Sequence, residues 1–170
     1  EPVFRKAEEA YAFLTEVRRV IRYLDVCDGN MEEGSMRCDA NVSVRKFGDP
    51  EFGQRTECKN MNSFRNVQRA IEFEFKRQID LIEAGGSVHM ETRSYDAVND
   101  RTFSLRSKEE AHDYRYFPEP DMLPLRVTAE DIAAVRTTLP PLPRALHAKY
   151  TSELGLSSYD ASLLTEEKDI

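Results

Sequence analysis

From Met36 to Arg45 the chain alternates without a break. Met36, Cys38, Ala40, Val42 and Val44 fall on one parity, and Arg37, Asp39, Asn41, Ser43 and Arg45 on the other. Successive side chains of a strand point to opposite faces, so the pattern predicts a strand over Ser35–Arg45 with one side packed and the other free. The free side is unusual in content. Two arginines bracket a carboxylate, an amide and a hydroxyl, a set suited to holding a metal-bound, phosphorylated ligand.

The rest of the chain gives this strand a setting. Asp28-Gly29 marks a turn ahead of it. Phe47–Gly53, rich in Gly, Asp and Pro, leads to a second strand near Gln54–Lys59, which would complete a hairpin. An amphipathic helix is predicted near Arg5–Leu24, with Ala7, Ala10, Tyr11, Leu14, Val17, Ile21 and Leu24 on its apolar stripe. Asn62 or Ser63 can cap a further helix over Phe64–Ala84, which Gly85-Gly86 ends. Its expected buried face is Phe64, Val67, Ile71, Phe75, Ile79 and Ile82. Short strands near Val88–Tyr95 and Arg101–Arg106 flank an Asn99-Asp100 turn, and a Pro-rich stretch, Asp113–Leu125, follows.

After Leu125 the pattern is helical only. Thr128 can cap a helix to about Thr138, Pro140–Pro143 breaks it, and a second runs to about Glu153 before Gly155. Tyr159–Glu167 reads as the opening of another. A domain boundary is expected near Val127. Hairpins mixed with helices, with no regular strand–helix alternation, predict an α+β fold.

Composition narrows the class. Apolar residues make up 40% and charged residues 32% of the 170 positions, the balance of a folded globular protein. No apolar run approaches the roughly 20 residues of a membrane helix. Cys27, Cys38 and Cys58 are an odd number without CxxC spacing, which argues against a disulfide framework and fits a reducing cytoplasm. The chain opens without Met or a leading strand, as a piece of something longer would, and no basic, apolar leader suggests secretion. A net charge of −7 argues against whole-surface attraction to nucleic acid but leaves room for a local basic patch.

Each polar candidate carries two readings. Asp39 can hold Mg²⁺ through one oxygen, or pair with its arginine neighbours. Arg37 and Arg45 can clamp phosphate oxygens, or serve as surface arginines. Asn41 and Ser43 would then orient the ligand; otherwise they are exposed strand polarity. Glu57 and Lys59 share one face of the second strand and can extend the polar surface. Lys59 and Asn60, with Asn62 and Ser63 at a helix start, can receive an anion, or simply cap the helix. Glu32-Glu33 reads as solvated. In His112–Pro118 the interleaved Tyr114, Arg115, Tyr116 and Phe117 can meet bases and phosphates, with Arg115 the strongest candidate, or pin their own loop. The histidines His89, His112 and His147 have no metal spacing.

These blocks together resemble one family. Asp28–Arg45, Glu57–Phe64, then Glu91-Thr-Arg, Arg106-Ser-Lys-Glu and Asp113–Asp121, and finally Tyr159–Thr165, are similar in order to segments of the B subunit of aspartyl/glutamyl-tRNA amidotransferase. Met61, Leu105 and Met122 stand where that family would have Leu, Met and Leu. The resemblance implies the second half of a glutamine synthetase-like cradle over residues 1–127 and the start of a helical domain over 128–170. It implies phosphorylation by Mg-ATP of the side-chain carboxylate of Glu on tRNA(Gln) or Asp on tRNA(Asn). Ammonia from the A subunit would then displace the phosphate, with a small C subunit completing the complex. Asp39 would meet the metal, Arg37, Arg45 and Lys59 would carry the chemistry, and Asn41, Ser43, Asn60, Asn62, Ser63 and Arg115 would bind ATP. The expected setting is the cytoplasm or an organellar matrix, away from any membrane, and the piece alone is expected to be inactive. The competing expectations are a non-catalytic RNA-binding or assembly module, in which the polar strand face docks a partner, and a structural fragment with a degenerate site.

Overall fold

The computed structural model describes residues 3–107 and 120–169. Among them are a four-stranded sheet and five α-helices, the α+β mixture that the pattern predicts. Two compact units emerge. One takes the residues up to Arg18 and from Cys27 through the sheet; the other takes Arg19–Val26 and the helices after the sheet.

In the first unit, α1 (Ala7–Tyr23) begins where the Glu9 carboxylate accepts from the backbone N–H groups of Arg5 and Lys6 at 2.6 and 3.1 Å. These bonds at the positive helix start draw the Glu9 carboxyl below its usual range. Ala7, Ala10 and Leu14 are buried, and Tyr11 meets the edge of Phe64.

The strands are β1 (Ala40–Val42), β2 (Thr56–Lys59), β3 (Glu91–Asp96) and β4 (Arg101–Ser107), adjacent in that order. β1 and β2 form the expected antiparallel hairpin, though β1 is much shorter than the alternation suggested. The burial pattern survives beyond the paired residues. Met36, Cys38 and Ala40 pack against the core and Val42 enters it, while Arg37, Asp39 and Asn41 are exposed. A strand-like side-chain rhythm therefore extends past the ladder that hydrogen bonds can close.

α2 (Phe64–Glu83) connects β2 to β3, and those two strands run parallel. A helical crossover is what a parallel neighbour requires. Ser63 is the N-cap, its hydroxyl accepting from the Asn66 N–H at 3.1 Å. At the other end Gly85 has φ +81°, and the Gly86 N–H reaches the Leu81 carbonyl at 2.9 Å. The core joins Leu14, Val42, Cys58, Met61, Val67, Ala70 and Tyr95.

One expectation fails here. α2 buries Val67, Ala70, Glu74 and Gln78, whereas Phe75 and Ile82 are exposed. The charge of Glu74 is accommodated by a set of donors. Arg77 offers Nη2 at 2.6 Å and Nε at 3.0 Å, Gln78 Nε2 stands at 2.9 Å, and the Thr102 hydroxyl at 3.1 Å. Arg93 Nε adds an ion pair at 3.4 Å. Burial alone would raise the Glu74 pKa, but these donors, Arg77 foremost, hold it below its ordinary value.

The second unit holds α3 (Ala129–Thr138), α4 (Pro143–Ser152) and α5 (Ser158–Leu164). Thr128 and Asp131 close a reciprocal capping box on α3. Pro143 opens α4, where its missing N–H costs nothing. Tyr23 donates to the Thr165 carbonyl at 3.1 Å and Arg19 Nη2 to the same oxygen at 2.9 Å, with Arg22–Glu167 and Lys168–Asp25 ion pairs beside them.

Candidate functional site

Side-chain parity across the sheet defines the face of the site. Thr56 and Cys58 are fully buried, and Cys58 packs with Val67 and Ala70 of α2. Glu57 and Lys59 must then point to the opposite face. The hairpin register sets Asn41 opposite Glu57 and Ala40 opposite Cys58, so Asp39 and Asn41 join that face. The parallel register sets Thr92 beside Glu57 and Ser94 beside Lys59.

A hydrogen-bonded chain runs over this surface. Lys59 Nζ lies 2.5 Å from Asp39 Oδ2 and 3.3 Å from Glu57 Oε1. The Thr92 hydroxyl donates to Glu57 Oε2 at 3.0 Å. The hydrogen bond to Asp39 is the main reason that Lys59 titrates above the ordinary lysine value. Just past β2, Asn60 takes a left-handed φ of +63° and donates through Nδ2 to the Ser94 hydroxyl at 2.7 Å. Asn tolerates that conformation better than other L-residues.

Not every residue of the predicted polar face gathers here. Asp39 pairs with Lys59 rather than with its arginine neighbours. Arg37 is exposed and, among the described residues, makes no hydrogen bond or ion pair. Arg45 turns to the loop beyond β1, donating to the Pro50 carbonyl at 3.0 Å and lying 4.4 Å above the Phe52 ring. Ser43 is half-buried.

Asn62 and Ser63 belong to a second locus. With Tyr11, Arg18, Asn30, Glu32 and Arg65 they line an open depression of about 290 Å³ at the start of α2. Ser63 spends its hydroxyl on the cap, and Asn62 Oδ1 accepts from Asn66 Nδ2 at 2.6 Å. Arg115 lies outside the described residues.

The contribution of β3 escaped the sequence reading. Thr92 and Ser94 complete the polar face only because a helical crossover brings β3 beside β2, and no local pattern announces that pairing. Among the described residues no group of three or more His, Cys, Asp or Glu side chains could hold a metal ion. Asp39 and Glu57 supply hard carboxylate oxygens, but both face the Lys59 ammonium.

Comparison with known proteins decides the family. The GatB/GatE catalytic domain matches residues 1–133. The chain belongs to that family. It is 56% identical over all 170 residues to the B subunit of the aspartyl/glutamyl-tRNA(Asn/Gln) amidotransferase of Solidesulfovibrio magneticus. It is 55% identical over 170 residues to the protein of the same name from Thioalkalivibrio sulfidiphilus, and likewise to that from Geobacter sulfurreducens. In each case the whole chain is covered, and it spans 36% of the relative's length. The family resemblance of the sequence blocks is thereby established, and Lys59, Asp39 and Glu57 all lie inside the matched region.

Proposed function

We propose that the chain is the part of an amidotransferase B subunit in which a carboxylate on aminoacyl-tRNA is activated by ATP. The carrying observation is the Asp39–Lys59–Glu57 face inside a family whose relatives are named for amidotransfer on tRNA(Asn/Gln). A carboxylate is a poor acyl donor. Its oxygen attacks the γ-phosphorus of ATP, ADP departs, and the acyl phosphate formed is open to ammonia, which expels inorganic phosphate.

Each candidate residue takes a role in that sequence. In this reading the Lys59 ammonium meets phosphoryl oxygens as charge builds on them. The exposed Arg37 guanidinium, with no partner among the described residues, is suited to clamp the same group. Arg45 would join it only by leaving Pro50 and Phe52. Asn41, Ser43, Asn60 and Arg115 are assigned to hold the nucleotide, and Asn62 and Ser63 to offer it the start of α2. Asp39 would hold Mg²⁺, whose chemistry is to offset phosphate charge. Because Asp39 faces Lys59, it takes that role only with further ligands from outside the described residues.

In this reading residues 1–127 are part of a glutamine synthetase-like cradle and 128–170 open a helical domain. An amidase A subunit releases ammonia from glutamine, a small C subunit completes the complex, and the setting is the cytoplasm. The full-length protein with its partners should convert Glu-tRNA(Gln) to Gln-tRNA(Gln), or Asp-tRNA(Asn) to Asn-tRNA(Asn), only when ATP and glutamine are both supplied. The 170-residue chain alone should show no ATP-dependent phosphorylation. Conversion independent of ATP would refute the activation step.

A further inference from the structure

The loop between β1 and β2 presents an aromatic ring that the site does not use. Phe47 is completely exposed, and Phe52 is half exposed. An isolated apolar side chain on a surface needs no explanation, but this one stands on a loop fixed from several sides. Arg45 ties the loop across to the Pro50 carbonyl and covers Phe52. The Asp49 N–H closes a turn onto the Lys46 carbonyl at 3.1 Å, and Gly48 supplies φ +94° within it. At the loop's base any Cβ on Gly53 would fall 2.1 Å from the Val44 carbonyl oxygen, so the returning strand approaches as only glycine permits.

The ring is therefore held in water by a structured loop. Its neighbours set the chemistry. Arg45 lies over Phe52, and Lys46 and Arg55 flank the two aromatics along the chain, three cations against Asp49 and Glu51 in a chain whose overall charge is −7. This local excess of cations, interleaved with aromatics, matches what unpaired nucleotides need: a ring for the base and cations for the flanking phosphates.

We infer that Phe47 is a base-stacking residue for an unpaired nucleotide of the tRNA substrate, with Lys46 and Arg55 on the adjoining phosphates. The inference rests on the proposed tRNA substrate and adds a contact surface outside the Asp39–Lys59 face. Stacking on a preordered ring is tolerant of base identity, so Phe47 would contribute affinity more than discrimination.

The test uses the full-length protein assembled with its partners and a tRNA carrying 2-aminopurine at its unpaired 3′ terminus and, separately, at other unpaired positions. Phe47→Ala should weaken tRNA binding by about tenfold and reduce the fluorescence quenching at one of those positions. Phe47→Tyr should restore both, and the KM for ATP should stay unchanged. The double change Lys46→Gln with Arg55→Gln should lower the log–log salt slope of binding by about 1.4, the value for two single-strand phosphate contacts. Equal tRNA binding by wild type and Phe47→Ala overturns this inference and leaves the proposed function intact. Loss of complex assembly in Phe47→Ala, with tRNA binding retained, makes the loop a protein interface instead. Failure of the wild-type complex to bind tRNA overturns both.

Discussion

Lys59 Nζ stands 2.5 Å from Asp39 Oδ2, so the ammonium of β2 is held by a carboxylate just ahead of β1. Glu57 touches the same nitrogen at 3.3 Å. Two acids thus aim one cation at a sheet face that carries hydroxyls from β3. Replacing Lys59 by Met should lower the ATP-dependent step by roughly 10²-fold, the usual loss when one donor to a developing anion is removed. Lys59→Arg should not restore it, because a planar guanidinium cannot occupy a point-charge position between these carboxylates. Single-turnover formation of ADP reads the effect directly.

Glu74 predicts an acid-sensitive core. Its carboxylate is fully buried against Arg77 and Arg93, and its folded pKa lies below the ordinary 4.5. A lowered folded pKa adds stability above the unfolded value and loses it as pH falls through the folded one. Glu74→Gln should therefore cost about 3 kcal/mol near neutrality, since it leaves arginines short of their counter-charge. The gap between wild type and variant should narrow progressively below pH 4.5. Urea unfolding followed by circular dichroism across that range measures it.

Cys58 should be chemically silent. The thiol is fully buried, and burial pushes its pKa up to about 12. The thiolate is the reactive form. Cys27 and Cys38 are both half-buried, and the Cys38 thiol is also raised by burial. Alkylation of the native chain should spare Cys58 until denaturant is added; rapid native labelling at Cys58 would show that the contact between β2 and α2 opens.

The sequence made parts of this arrangement legible and hid others for physical reasons. Local chemistry carried a cap at Asn62 or Ser63, the Gly85 stop, the Thr128 cap and the inward parity of Cys38, Ala40 and Val42, because each depends on neighbours a few residues away; the choice of Ser63 and the return bond from Asp131 came with the fold. The inner face of α2 did not follow from apolar periodicity. Glu74 and Gln78 lie on the stripe of Val67 and Ala70, and a buried acid is tolerable only with Arg77 and the distant Arg93 to receive it. The predicted face of Arg37, Asp39, Asn41, Ser43 and Arg45 held its alternation from Arg37 to Asn41, lost it at the half-buried Ser43, and dispersed as a site. Arg45 found partners in Pro50 and Phe52, and Asp39 found Lys59 across the hairpin. Thr92 entered through a parallel pairing that only the fold creates.

The central claim is that the Asp39–Lys59 face activates the carboxylate. Its most direct test is ATP- and glutamine-dependent conversion of Glu-tRNA(Gln) by the full-length protein with its partners, run beside Asp39→Asn. This change keeps the side chain's shape while removing its charge. Asp39→Asn should abolish conversion and ADP formation while tRNA binding and complex assembly persist. Equal conversion by both proteins would contradict it and reduce the Asp39–Lys59 pair to a strut of the hairpin.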